Sequence, residues 1–318
     1  MPPSELTLAS SRLLYTHGEK VQGVAWMGPR WLSAGIDHCV ASGTLDGGDV
    51  TRTSLVLRAA SVTITPNYVL VPSTYGPVSV LDRTLRRVVG TLDHWDTCRH
   101  ACCVGTRLFT ASYHGSIREW PAEGPFGPPV SQQPGLRDHA VRSSGDGELW
   151  QVELKKSLNA FAVEPERVWA AFHDGVRVWP LVGATPAKRP VWLAPHGCFY
   201  TLALVGERVV AGTAGKTPRA LVWWNRRTRA HEGSTPLDHS VHRLCSATAH
   251  ERAWLLGAGE EVAWIRDPAC LDDAPVVTVR WPGHDLEDCA LTPAGDLIVA
   301  GGNEVRVWAG VLDGHRAA

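Results

Sequence analysis

The chain restates one pattern of apolar and polar positions. Residues 107–120 (Arg-Leu-Phe-Thr-Ala-Ser-Tyr-His-Gly-Ser-Ile-Arg-Glu-Trp) give an apolar run, a small-residue turn and a short alternating run closed by Trp. The phrase returns over residues 167–179 and 296–308. Seven copies can be counted, with apolar runs beginning at Trp31, Tyr68, Leu108, Val168, Val209, Ala253 and Leu297, at steps of 37, 40, 60, 41, 44 and 44 residues. Apolar residues alternating with small or polar ones are what a half-buried strand requires. A Gly or polar residue in the middle marks a tight hairpin that needs φ > 0. Val176, Val178 and Trp179, like Val305, Val307 and Trp308, show the denser pattern of a central strand. Helical periodicity is nearly absent, with a trace over 148–162 alone.

A period near 40 is the mark of a propeller or a solenoid. The last copy ends at Trp308 with no room for a fourth strand, and the first is preceded by a surplus strand over 5–15. An N-terminal strand that completes the final sheet closes the ring and removes its open edges. An open solenoid would need polar capping repeats at both ends, and none is visible. The expected fold is therefore all-β, a seven-bladed β-propeller forming one domain over 1–318, its ring closed by the N-terminal strand. The 60-residue step holds a Pro/Gly-rich insertion at about 121–147. Read as an outer loop it keeps seven blades; a degenerate extra blade around 145–154 would make eight.

On these residues the chain resembles the WD40-repeat family of β-propellers over almost its full length. Gly283-His284, the run 297–302 and Val305-Arg-Val-Trp308 match that family's blade, which runs from Gly-His through inner strands to an Asp turn and a closing Trp-Asp. His17, His196 and His239 stand where the family's His precedes a blade's first strand, and Asp37 and Asp174 fall near its turn Asp. The chain departs from the pattern where Trp120, Trp179, Trp264 and Trp308 are followed by Pro, Pro, Ile and Ala, and where Tyr75, His114 and Asn303 replace the turn Asp. The resemblance implies a buried His–Ser–Trp–Asp hydrogen-bond network in regular blades. It also implies a rigid hub that binds other proteins on the face carrying the loops between blades and those between the second and third strands of each blade.

Composition narrows the field. At 318 residues, 44% hydrophobic and 20% charged, the chain has the make-up of a soluble globular protein. A net charge of −1 lacks the basic excess of a nucleic-acid surface. No stretch approaches the 18 apolar residues of a membrane span. Arg supplies 26 of the 31 basic residues, a bias that suggests a GC-rich bacterial genome. The first ten residues lack a basic region and an apolar run, unlike a signal peptide. Eight cysteines without such a signal lead to the expectation of a reducing cytoplasm and free thiols.

Chemistry is sparse. Gly-x-Ser-x-Gly and the phosphate-cradling Gly-x₄-Gly-Lys-Ser/Thr are absent. Cys98, Cys102 and Cys103 form the one Cys/His cluster, with a single Cys-x₃-Cys pair where zinc sites usually show two, so buried thiols are expected and no metal or cofactor. Asp272-Asp273 and residues 285–288 read as solvated turns. Arg83, Arg86, Arg87 and Arg226, Arg227, Arg229 read as charged outer edges that block sheet-to-sheet pairing. Among the 14 Trp, those closing strands (Trp120, Trp179, Trp224, Trp264, Trp308) are expected in the core. Trp95 and Trp281 lie in expected turns. The candidate protein-contact residues are Tyr75, Trp95, His114, Lys216, Arg280 and Trp281. The expected function is a non-catalytic scaffold or regulatory subunit that holds, inhibits or sequesters a protein partner. The alternative is a propeller enzyme, or a small-molecule or metal binder, using the central channel.

Overall fold

The structure, a computed structural model, describes residues 4–315 apart from 95–96, 125, 127–149, 154–156, 183–184, 187–189, 191, 196 and 214–217. Among the described residues there is no α-helix. The repeated phrases are antiparallel hairpins: Arg107–Ser112 with Ser116–Pro121, Arg167–Phe172 with Gly175–Val182, and Leu297–Gly301 with Glu304–Trp308. Gly115 (φ 92°) and Gly302 (φ 55°) take the left-handed backbone that the turn requires.

The first sheet lays Val21–Met27, Arg30–Gly35, Cys39–Thr44 and Thr51–Ser54 side by side in chain order. Four further antiparallel sheets follow the same plan and begin with Thr63–Ile64, Cys98–Val104, Leu158–Glu164 and Phe199–Val205. The sixth sheet joins seven strands, starting from Val241–Ala249. It bends twice. Glu261 has φ 53°, and a Cβ on Gly257 would run into the Trp264 ring, so Arg252–Arg266 doubles back on itself. Gly283 (φ 80°) divides Val277–Leu291 into a part paired with residues 262–265 and a part paired with Leu297–Gly301.

The surplus N-terminal strand is in fact two. Ser4–Thr7 runs parallel to residues 277–280, and Arg12–Thr16 pairs antiparallel with Glu304–Trp308. The break between them is a 3₁₀ turn, Leu8–Ser10, with Leu6 and Leu8 packed on the neighbouring core and the Trp308 indole donating to Thr7 O at 3.0 Å. The helical trace over 148–162 is also corrected: Trp150–Glu153 and Leu158–Glu164 are strands. Leu158, Ala160 and Phe161 are buried there between sheets, where pairing and packing override local preference.

The core lies between sheets. Leu32 and Val40 of the first meet Val69 and Leu81 of the second. Similar clusters follow at each junction down the chain, and another lies between the two halves of the sixth sheet. The last hairpin then packs Ile298, Ala300, Val305 and Val307 against Val21, Val24 and Trp31 of the first sheet. Trp120, Trp179, Trp224, Trp264 and Trp308 are all buried, as the pattern predicts. Each removes roughly 150 Å² or more from water, a hydrophobic gain of up to about 4 kcal/mol.

Candidate functional site

One irregularity recurs in the first strand of five sheets and where Val277–Leu291 turns to meet Leu297–Gly301. The register slips by one residue between Val21 and Gly23, Cys98 and His100, Leu158 and Ala160, Phe199 and Thr201, Val241 and Arg243, and Leu286 and Asp288. A bulge of this kind leaves one residue outside the ladder and re-aims its side chain. The residues so released are Gln22, Arg99, Asn159, Tyr200, His242 and Glu287. In the second sheet Ala60 holds the matching place, beside the Ala59–Ser73 bridge. All seven line a single cup of about 260 Å³, together with Thr74, His100, Thr201 and Arg243.

At four of these places the residue that follows stitches its strand to a neighbouring one. Ser61 Oγ donates to Arg99 O at 2.8 Å, and His100 Nε2 to Asn159 O at 2.7 Å. Thr201 Oγ1 accepts from Leu244 N at 2.7 Å, and Asp288 Oδ2 from Val24 N at 3.1 Å. Asn159, a bulge residue itself, donates from Nδ2 to Phe199 O at 2.8 Å. At Gly23 the backbones simply touch: a Cβ there would lie 2.8 Å from Val62 N.

A polar strut floors the cup. Arg243 Nε lies 3.4 Å from Asp288 Oδ1, and Arg243 Nη1 donates to His100 Nδ1 at 3.3 Å. With His100 Nε2–H already given to Asn159, the neutral tautomer fits both bonds. Burial pushes the His100 pKa down to about 3, and Arg243 adds to the fall while the Asn159 bond opposes it. Burial raises the Asp288 carboxyl, with Arg243 holding it back. Residues 285–288 were expected in a solvated turn; Asp288 is instead buried and bonded to Val24 N, because its bulge points it inward.

The sequence-derived contact residues separate into three groups. Tyr75 is 54% exposed, in the hairpin next to Thr74 of the cup. His114 is exposed and its ring meets Tyr113, over which the Arg99 guanidinium lies at 4.8 Å. Arg280 is exposed and paired with Glu5 at 2.6 Å, on the strand that carries the N-terminal segment. Trp95 and Lys216 lie outside the described residues. Trp281 is a correction: it is 1% exposed, its ring 6.2 Å from that of Trp308, so it packs the core and offers no surface. Sequence reasoning missed Arg99, Asn159, Tyr200 and His242. For the first three the signal is a pair opening on an apolar residue ten positions ahead of the runs beginning at Leu108, Val168 and Val209, and for the last it is Val241-His242, twelve ahead of Ala253.

Two other clusters have catalytic or ligand-like geometry. His17 bonds Ser33 Oγ through Nε2 (2.8 Å) and Asp37 through Nδ1 (3.0 Å), the spacing of a nucleophile, base and orienting acid. Ser33 is fully buried, so no substrate reaches it. Cys39 lies near this pair, giving a His–Asp–Cys group within 4.8 Å, but both His17 nitrogens are already engaged. His94 repeats the hydroxyl half of the arrangement: its Nε2 bonds Thr110 Oγ1, which also accepts the Trp120 indole N–H at 2.7 Å. These are the His–Ser/Thr–Trp and His–Asp pieces of the network that the WD40 resemblance implies.

The chain aligns with a chain of the "Crystal Structure of Mitotic Checkpoint Complex" at a TM-score of 0.69 and 14% identity, over 92% of this chain and 90% of that one. The fold is that of a WD40-like β-propeller. No family model matches the propeller's sequence, and no curated protein does. Its structure matches 1620 solved chains, so the fold is a poor guide to task, which must be argued from the site.

Proposed function

We propose that this propeller is a non-catalytic protein-interaction scaffold, a regulatory subunit that holds or sequesters one protein partner in a bacterial cytoplasm. In this reading the sixth sheet is two blades, divided at Gly283, so that one domain of seven blades spans 1–318 with an outer insertion at about 121–147. The pairing of Arg12–Thr16 with Glu304–Trp308 closes the ring. The partner sits on the end of the ring that carries the cup.

The observation that carries the reading is the bulge ring. One end of the fold presents side chains from every sheet around one cup, and two large rings stand in the open there: Tyr200, which lines the cup, and Tyr75, next to Thr74 of its lining, 38% and 54% exposed. Tyr and Arg at a shared rim are the side chains that dominate protein interfaces. The test is capture of the partner by wild type and by Tyr75→Ala/Tyr200→Ala, with melting temperature as the folding control. Loss of capture by a variant that still folds supports the reading, and equal capture refutes the face.

A further inference from the structure

The charges of the cup do not cancel, and the remainder selects a ligand. Asp288 takes up the charge of Arg243, and Lys20 that of Glu287 at 2.5 Å. Arg99 also lines the cup and is exposed, and among the described residues no carboxylate meets it. Its guanidinium is held over the Tyr113 ring at 4.8 Å, so its fork of N–H donors is oriented without being spent. Around it the Gln22 amide and the His242 ring make no side-chain hydrogen bond among the described residues, and both line the same cup. Arg243 has donors left as well, since its strut uses Nε and Nη1 only.

We infer that the cup receives one carboxylate side chain, an Asp or Glu, from an acidic segment of the partner. Arg99 pairs with the carboxylate in a fork, and Gln22 and His242 complete its hydrogen bonds. One uncompensated guanidinium matches one negative charge. A phosphorylated side chain brings close to two, twice what one free guanidinium balances, so the fit is to a carboxylate. The exposed aromatic rings of Tyr75 and Tyr200 flank the segment on either side. This inference rests on the scaffold reading above, and names the chemistry of the partner at that site.

The experiment uses the full chain and four pools of capped nonapeptides, randomised around a central Glu, Gln, Lys or phosphoserine. Binding to wild type, Arg99→Gln and Arg99→Glu is read by fluorescence anisotropy, and melting temperature confirms that each variant folds. The Glu pool is expected to bind wild type at least tenfold more tightly than the Gln and Lys pools. That preference falls in Arg99→Gln and turns toward the Lys pool in Arg99→Glu. Equal binding of all four pools, preference for phosphoserine, or a Glu preference that survives Arg99→Glu overturns the inference. If partner capture is lost in Tyr75→Ala/Tyr200→Ala yet kept in Arg99→Glu, the scaffold reading stands and the carboxylate fails alone.

Discussion

Arg243 Nη1 reaches His100 Nδ1 at 3.3 Å although their strands belong to sheets with two others between them along the chain. The contact completes a line of hydrogen bonds and one ion pair from Val24 N through Asp288, Arg243, His100 and Asn159 to Phe199 O. The repeated bulge brings these groups together, by turning residues from every sheet toward one cup.

Removing Arg243 leaves a buried Asp288 without its cation. Arg243→Met is expected to cost about 3 kcal/mol in urea unfolding, in the range for breaking a buried pair from one side. Adding Asp288→Asn recovers part of the loss, and the double-mutant cycle reads the coupling. Additive losses would show that the two side chains do not interact.

Trp281 and Tyr75 separate core from surface. Trp281→Ala is expected to destabilise by about 3–5 kcal/mol, as for other buried Trp. Tyr75→Ala should stay within about 0.5 kcal/mol, as a surface change does. Equal melting temperatures for the two variants would contradict the placement of the Trp281 ring against Trp308.

Much of this architecture is legible in the residues. The apolar runs and closing Trp residues mark the hairpins because alternation and tight turns are local properties, as at Arg167–Phe172 and Gly175–Val182. The turn positions of Tyr75 and His114 are legible for the same reason. Trp281 is misread because the Pro282-Gly283-His284 that follows it signals a turn, while its own burial depends on Trp308, 27 positions further on. The cup is harder still to see. Arg99 and His242 look like ordinary polar positions of a strand until a bulge lifts them out of the ladder, and a bulge is a pairing event between strands.

At Gly23 the first sheet lies close against the backbone of Ser61 and Val62, at the start of the second. Gly23→Ala places a Cβ 2.8 Å from Val62 N and 3.0 Å from Ser61 Cα, and backbone cannot swing aside as a flexible side chain can. A loss of about 1–3 kcal/mol is expected, typical of overpacking. A neutral result in thermal unfolding would mean that the two strands sit further apart.

Acid should weaken the fold through its enclosed histidines. Burial, with Arg118 adding, pushes the His94 pKa down to about 3, as burial with Arg243 does for His100. The unfolded value is about 6.5, so between about pH 6.5 and about 3 the unfolded chain binds protons that the folded chain refuses. Stability is therefore fully present above about 6.5 and is lost on acidification, by up to about 1.4 kcal/mol per pH unit for each histidine. Asp288, with its carboxyl raised, opposes this trend below neutrality. Unfolding in urea at pH 7, 6 and 5 should show the fall, with a shallower slope in His100→Gln. A flat profile in wild type would contradict the burial of both rings.

The central claim is that one end of the propeller holds a protein partner. Its most direct test is affinity capture from the native host, with mass spectrometry, comparing wild type, Tyr75→Ala/Tyr200→Ala at the cup and Arg86→Ala/Arg87→Ala at an outer edge. The account predicts one stoichiometric protein retained by wild type and by the outer-edge variant, and lost from the cup variant. Retention by all three, or a chain that emerges alone from every one, would contradict it.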